Sequence, residues 1–105
     1  MMPRWTLPIV AALSLGIPVS AQAATIQISM ENLVISPAEA SAKVGDTVEL
    51  INNDIFVHTA TAKNGDFDVT MPPKKTVTII LKKAGTVDYY CRFHPNMKAT
   101  LTIAP

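Results

Sequence analysis

Residues 85–103 read GTVDYYCRFHPNMKATLTI, and they combine two alternating segments with a short connection between them. Val87, Tyr89 and Cys91 fall on one face of the first segment, because side chains point to opposite faces of a strand in turn. The second segment repeats the pattern at Ala99, Leu101 and Ile103. The stretch therefore predicts two strands that hold a loop between them, with the cysteine buried at the end of the first strand.

The loop carries three soft metal ligands at a spacing of three residues, namely Cys91, His94 and Met97. A tight turn brings all three side chains toward one point. No carboxylate lies in the loop, and thiolate with thioether selects copper over a hard cation. Zinc stays open as a weaker alternative, since methionine is a poor zinc ligand.

A fourth ligand has to come from elsewhere, and His58 is the one other histidine of the chain. Alternation puts Phe56, His58 and Ala60 on one inward face of a different segment. Two histidines and a cysteine in a plane, with a weak axial methionine, describe a blue-copper electron-transfer site. Taken singly, Cys91 and Met97 have an ordinary explanation as core residues. Their combination with the two histidines favours one bound copper ion.

The remaining chain predicts further short strands and no helix. Apolar residues alternate with polar ones in three more segments: Ile26, Ile28 and Met30; Val48 and Leu50; Val77, Ile79 and Leu81. Asn64-Gly65 is typical of a two-residue type I′ hairpin turn. Lysine pairs at 74–75 and 82–83 are typical of a protected strand edge. The pattern predicts an all-β, antiparallel sandwich or barrel.

The N-terminus predicts a secretory signal peptide over residues 1–23, cleaved after Ala23. Arg4 precedes an apolar run from about Leu7 to Val19, and Ala21-Gln22-Ala23 resembles a cleavage site. Residues 24–105 then form a single domain with eight basic and eight acidic side chains, because Arg4 is the one charge removed. This balance argues against nucleic acid as a partner. A lone cysteine in an exported chain also favours metal ligation.

The motif Cys-x-x-His-Pro-x-Met at 91–97 resembles that of the cupredoxins, the type 1 blue-copper family. The short loop is similar to that of amicyanin-like and plastocyanin-like members, and the resemblance extends over about Thr25 to Ile103. Tyr89, Val44-Gly45-Asp46 and Asn52-Asn53-Asp54 also carry it. Thr59 departs from the family, which often has Asn after the first histidine. Arg92-Phe93 departs from the smaller or more rigid residues of the amicyanin-like loop.

The resemblance implies a Greek-key β-sandwich of about seven to eight strands and a periplasmic, monomeric carrier of single electrons. It implies His58, Cys91, His94 and Met97 as metal ligands, and transient redox partners, an amine dehydrogenase and a c-type cytochrome. No membrane anchor remains after cleavage. His94 is expected to pass electrons through an apolar rim, for which chain position suggests five residues: Phe93, Pro95, Ile55, Met71 and Pro72. Thr59 is expected to tie the two ligand segments together, and Tyr89 is either a core aromatic or the residue of a tyrosine corner.

Two other functions stay open. A nucleophile pair of Cys91 and a histidine would make the chain an enzyme, but it needs an exposed thiolate, whereas alternation points this thiol inward. The sequence therefore predicts no enzyme. A copper carrier or sequestering protein would favour His- or Met-rich segments, and the chain has two histidines.

Overall fold

The computed structural model describes residues 22–105. The signal peptide predicted for residues 1–23 lies outside the described residues except for Gln22 and Ala23. Every regular element of the described part is a strand. The nine strands are β1 Thr25–Glu31, β2 Val34–Ser36, β3 Glu39–Lys43, β4 Thr47–Asn52, β5 His58–Ala62, β6 Asp68–Met71, β7 Thr76–Ile80, β8 Gly85–Cys91 and β9 His94–Ala104.

The strands form two sheets, which confirms the predicted all-β sandwich. One sheet has the order β2-β1-β4-β7 and the other β3-β9-β8-β5-β6. The prediction of purely antiparallel pairing was wrong, since β1 pairs with β4 and β3 with β9 in parallel. Parallel neighbours need a crossover connection, and the chain makes these by passing from one sheet to the other. Crossovers of this kind leave no local sequence signal.

Alternation along the strands builds the core as predicted. Val87, Tyr89 and Cys91 are at most 1 % exposed, and the inward residues of β1, β4 and β9 are buried with them except for Ile26, which is half-buried. Strand β7 lies at the edge of its sheet with exposed lysine pairs at both ends, as expected for a protected edge. Strand β5 differs, because all five of its residues are buried. Phe56 does not share its inward face, being 52 % exposed ahead of the strand.

The connection between β5 and β6 is longer than the predicted two-residue turn. It spans residues 63–67, and of Asn64 and Gly65 only the glycine has a positive φ, 84°. The amide of Gly65 donates to the Ala62 carbonyl at 3.1 Å, and Asn64 Oδ1 accepts from the amide of Asp66 at 3.0 Å. The side chain of Asn64 thus closes a local turn without itself adopting the left-handed conformation.

A type I′ turn does occur, between β1 and β2. Asn32 and Leu33 have φ of 52° and 61°, and Glu31 faces Val34 across the turn. A branched residue such as leucine rarely adopts this conformation. Both amides of the turn donate to Asp54, a contact that is described with the site below.

Tyr89 does not form the expected tyrosine corner. Its hydroxyl is buried without a hydrogen-bond partner, and its ring packs edge-on against Phe67 with centroids 5.9 Å apart. Burial raises the pKa of Tyr89 to about 12. Tyr89 is therefore a core aromatic, and its hydroxyl is a cost to the fold.

This burial predicts a loss of stability at alkaline pH. The unfolded phenol ionises near 10.0 and the folded one near 12, so the folded state holds its proton longer and is destabilised as pH rises between the two values. We expect the free energy of unfolding to fall over that window by about 3 kcal/mol more in the parent than in Tyr89→Phe. Denaturant unfolding at stepped pH measures the difference. Tyr90→Phe is the matched control and should retain the fall; equal profiles for both variants would contradict the assignment.

Within residues 22–105, no helix with the length and apolarity needed to cross a membrane is present.

Candidate metal centre

The two predicted histidines and the cysteine converge at one end of the sandwich. Cys91 ends β8, His94 begins β9 and His58 begins β5, so three strands of one sheet each supply a side chain. The Cys91 Sγ lies 3.6 Å from His58 Nδ1 and 3.7 Å from His94 Nδ1. The two histidine rings face each other edge-on with centroids 5.1 Å apart. All three ligand atoms lie within 4.8 Å of one another.

The connection that carries the cluster is tighter than the predicted loop. Only Arg92 and Phe93 separate β8 from β9, and Cys91 pairs with His94 across the turn. The register then shifts, because the preceding pair joins Tyr90 to Lys98. Three residues of β9, 95–97, bulge out at this shift, and bulges commonly redirect side chains beside functional sites. Met97 lies in the bulge and is 2 % exposed.

These residues fit a single soft metal ion. Separations of 3.6 and 3.7 Å between sulfur and nitrogen suit two donors of one ion, with bonds of about 2.3 Å to sulfur and about 2.0 Å to nitrogen. Cys91 and His58 are fully buried, and His94 is half-buried at the surface. No carboxylate belongs to the cluster in the described part of the chain. The donor set is therefore soft, neutral nitrogen with sulfur.

Asp54 orients the buried histidine, a role that the sequence analysis missed. Its Oδ2 lies 2.7 Å from His58 Nε2. Burial tends to raise the pKa of Asp54, but the hydrogen bonds from His58, Leu33 and Asn32 outweigh it and leave that pKa below 3.8. An ionised carboxylate only accepts hydrogen bonds, so the proton of neutral His58 sits on Nε2. The lone pair of Nδ1 then points toward Cys91, ready to bind a metal.

Asp54 is held in place from both sides. Its carboxylate accepts the turn amides of Asn32 at 2.7 Å and Leu33 at 3.2 Å. Its own amide donates to the side chain of Asn52 at 2.9 Å, and Asn52 Nδ2 donates to the carbonyls of Phe56, Met71 and Pro72. The i, i+4 spacing of Asp54 and His58 was the available signal, but outside a helix that spacing predicts no contact.

Thr59 ties the two ligand segments together, as predicted. Its hydroxyl accepts the amide of Arg92 at 2.8 Å, and its amide donates to Cys91 Sγ at 3.4 Å. Pro95 has no amide proton to offer the sulfur. The described structure thus supplies a hydrogen bond to sulfur from β5, upstream of the loop.

Exposed apolar residues occur next to His94 and in the segment that carries Phe56, and they correct part of the expected rim. Phe56 lies against the His94 ring with centroids 6.0 Å apart. Met71 is fully buried and was wrongly expected there, whereas Phe93, Pro95, Ile55 and Pro72 are exposed as expected. We call Ile55, Phe56, Val57 and Phe93 the His94 patch; their exposed fractions are 73, 52, 39 and 56 %.

The positive charge of Arg92, beside this patch, is paired with a carboxylate. Its Nε donates to Asp68 Oδ1 at 3.2 Å, and its guanidinium lies 5.6 Å from the centroid of the Phe93 ring. Asp68 therefore balances the positive charge of Arg92, the residue that follows Cys91.

Comparison with known proteins agrees with this geometry. A family model described as a cupredoxin-like domain matches residues 5–103. The methylamine utilization protein MauL of Methylorubrum extorquens is 26 % identical over 98 residues, which cover 90 % of this chain and 84 % of that protein.

Solved structures of amicyanin variants are similar to the chain. One variant in the reduced state is 27 % identical, with a TM-score of 0.64, over 75 % of this chain and 81 % of that chain. Another, in the Cu(I) form, is 26 % identical, with a TM-score of 0.65 and the same shares. A Cu-containing nitrite reductase from Thermus scotoductus is 23 % identical, with a TM-score of 0.70, over 77 % of this chain and 22 % of that one, which is a likeness of fold.

Proposed function

Since the chain belongs to the cupredoxin-like family, we propose that it is a type 1 blue-copper protein that carries single electrons between redox proteins. The observation that carries the proposal is the buried Cys91 sulfur, with a histidine nitrogen 3.6 Å away on one side and another 3.7 Å away on the other. His58, Cys91, His94 and Met97 are the residues that would hold the copper ion. A bound copper ion would supply a one-electron Cu(I)/Cu(II) couple.

The fold itself holds the proposed ligands in place. Three strands of one sheet position the cluster, and Asp54 and Thr59 fix it from outside. A preorganised site changes little between two oxidation states, which keeps the barrier to electron exchange low. We propose that the chain catalyses no reaction of its own, because electron transfer needs no substrate pocket at the ligands.

The electron would enter and leave through His94 and its patch. His94 is the half-buried ligand, and exposed Phe56 and Phe93 lie beside it. A small apolar patch suits the small interfaces of transient redox encounters. We propose an amine dehydrogenase as electron donor and a c-type cytochrome as acceptor. The name of MauL, which refers to methylamine utilization, favours the first of these.

We also propose that residues 1–23 are a leader and that residues 24–105 form the exported, periplasmic domain. Strand β1 begins at Thr25, and the Ala24 nitrogen donates to Asp46 Oδ1 at 2.8 Å. Cleavage after Ala23 would place the new ammonium group on that carboxylate, a favourable ion pair. The intact mass of the protein recovered from periplasm tests this; a mass that still includes residues 1–23 would contradict it.

The visible spectrum of the chain with one equivalent of Cu(II) tests the function. We expect an intense blue thiolate-to-copper band that bleaches on reduction and returns fully on oxidation, with the metal retained. Zn(II) is the control and should give no visible band. A colourless product, or thiol oxidation without a stable band, would overturn the proposal. Loss of copper to a chelator within seconds would favour a copper carrier instead.

Met97→Leu should retain copper and raise the reduction potential. The thioether sulfur of Met97 would stabilise bound Cu(II), and leucine has no donor atom to replace it. The potential should rise by about 59 mV for each tenfold loss of Cu(II) affinity relative to Cu(I). Spectroelectrochemistry measures it, with Met30→Leu as the control, because Met30 is buried in β1. A fall in the potential, or equal values for the two variants, would remove Met97 from the ligand set.

A further inference from the structure

The structure assigns a positioning role to Thr61 and Asp68, which hold the turn after Cys91 through a closed ring of hydrogen bonds. The ring runs from the Arg92 amide to the Thr59 hydroxyl, then to the Thr61 hydroxyl at 3.0 Å and the Asp68 carboxylate at 2.8 Å. The Arg92 Nε, 3.2 Å from the same Asp68 oxygen, closes it. The inference rests on the proposed function only where it concerns copper.

Asp68 fixes the direction of every proton in the ring. A carboxylate only accepts, so the Thr61 hydroxyl donates to Asp68. Thr61 has no second proton, and therefore the Thr59 hydroxyl must donate to Thr61. The lone pairs of Thr59 are then left to face the Arg92 amide. A single charged group at the surface thus sets the orientation of a buried hydroxyl beside the ligands.

The ring stands where the backbone ladder between β5 and β8 stops. That ladder pairs Ala62 with Tyr89 and Thr61 with Tyr90, and no further pair follows. If the same antiparallel register continued for two more residues, Thr59 would lie opposite Arg92. There a side-chain hydroxyl accepts the Arg92 amide in place of a backbone carbonyl. This side-chain hydrogen bond keeps the two strands joined, while the amide of Thr59 donates to the adjacent Cys91 Sγ.

Arg92 is consequently held at both ends, since its amide binds Thr59 and its guanidinium binds Asp68. It is one of the two residues between Cys91 and His94. Its position therefore sets how the thiol and the imidazole approach each other. Thr59 and Thr61 are buried, whereas the Asp68 side chain is 53 % exposed, so Asp68 is open to substitution without disturbing the core.

The test measures the ring first without metal. Amide exchange of Arg92, followed by NMR in the metal-free chain, should accelerate about tenfold in Asp68→Ala and in Thr61→Val, the factor for loss of about one hydrogen bond. Thr61→Ser retains the hydroxyl and should restore slow exchange. Asp66→Ala, which removes a carboxylate two residues before Asp68 but not from the ring, should leave it unchanged.

The copper-loaded proteins then separate this inference from the proposed function. A shift of the blue band and of the reduction potential in Asp68→Ala and Thr61→Val, absent from Thr61→Ser and Asp66→Ala, would support the positioning role. If the blue band and the reduction potential of Asp68→Ala and Thr61→Val equal those of Asp66→Ala, and Arg92 amide exchange is unchanged, the positioning role is overturned. A blue band in the parent would still support the electron-carrier function. If the parent chain shows no blue band, the proposed electron-carrier function is overturned. The amide exchange of Arg92 in the metal-free chain would still test the hydrogen-bond ring.

Discussion

Cys91→Ser should abolish the blue absorption of the copper-loaded chain and weaken copper binding by more than the roughly 10- to 100-fold that loss of an outer partner costs. The band arises from charge transfer between a thiolate and Cu(II). Cys91 is the one cysteine of the sequence, so no other thiolate can substitute. Serine oxygen is a harder donor and does not favour Cu(I).

The fold should survive this substitution. Cys91 Sγ accepts the Thr59 amide at 3.4 Å, and a serine hydroxyl can accept the same hydrogen bond. We expect the free energy of unfolding of the metal-free chain to change by no more than about 1 kcal/mol. Denaturant unfolding without metal is the control for the titration with Cu(II). A blue band that persisted in folded Cys91→Ser would show that Cys91 is not the copper ligand.

Residue patterns predicted the positions of His58 and Cys91 well because both residues lie on regular strands. Alternation placed Cys91 inward at the end of β8, and the structure has it fully buried there. His58 was assigned on the other side of the cluster, and its Nδ1 lies 3.6 Å from the thiol. A strand transmits side-chain direction over several residues, so period two sufficed for Cys91. His58 was assigned because it is the one other histidine of the sequence.

The surroundings of the ligands could not be predicted in the same way. Asp54 and Leu33 belong to turns in which no period holds, and their contact joins residues 21 positions apart. Asp68 reaches Arg92 because β6 and β8 lie on either side of β5, where Thr61 pairs with both Asp68 and Tyr90. Phe56 precedes β5, so its exposure depends on where that strand starts. Each case depends on tertiary structure, which alternation does not specify.

Asp54→Ala is expected to have the second large effect, through stability. It removes the acceptor of three hydrogen bonds, from His58, Asn32 and Leu33. His58 is fully buried and loses its partner outright, while the turn amides lie closer to solvent. We expect the free energy of unfolding of the metal-free chain to fall by about 2–3 kcal/mol. Asp88→Ala, on the exposed face of β8, is the control and should change it by less than about 1 kcal/mol.

The loss of stability in Asp54→Ala should depend on pH and should be larger at neutral pH than in acid. Asp54 has a folded pKa below 3.8, so its stabilisation is full above 3.8 and is lost as pH falls through the folded value. Asp54→Ala should therefore differ from the parent at neutral pH and converge with it in acid. Some acid sensitivity should remain, because the amides of Ala24 and Lys43 also hold the pKa of Asp46 below its usual value. A constant difference across the acid range would contradict the role of the carboxylate.

Measurement of copper affinity distinguishes the role of Asp54 in orienting His58 from its role in stabilising the fold. Without Asp54 the proton of His58 is free to move to Nδ1, which would block the nitrogen that faces Cys91. We expect Cu(II) affinity to fall about 10- to 100-fold in Asp54→Ala, measured by competition with a chelator under conditions where the variant is folded. Asp88→Ala should bind copper like the parent. An unchanged affinity in a destabilised Asp54→Ala would mean that Asp54 anchors the β1–β2 turn without orienting the ligand.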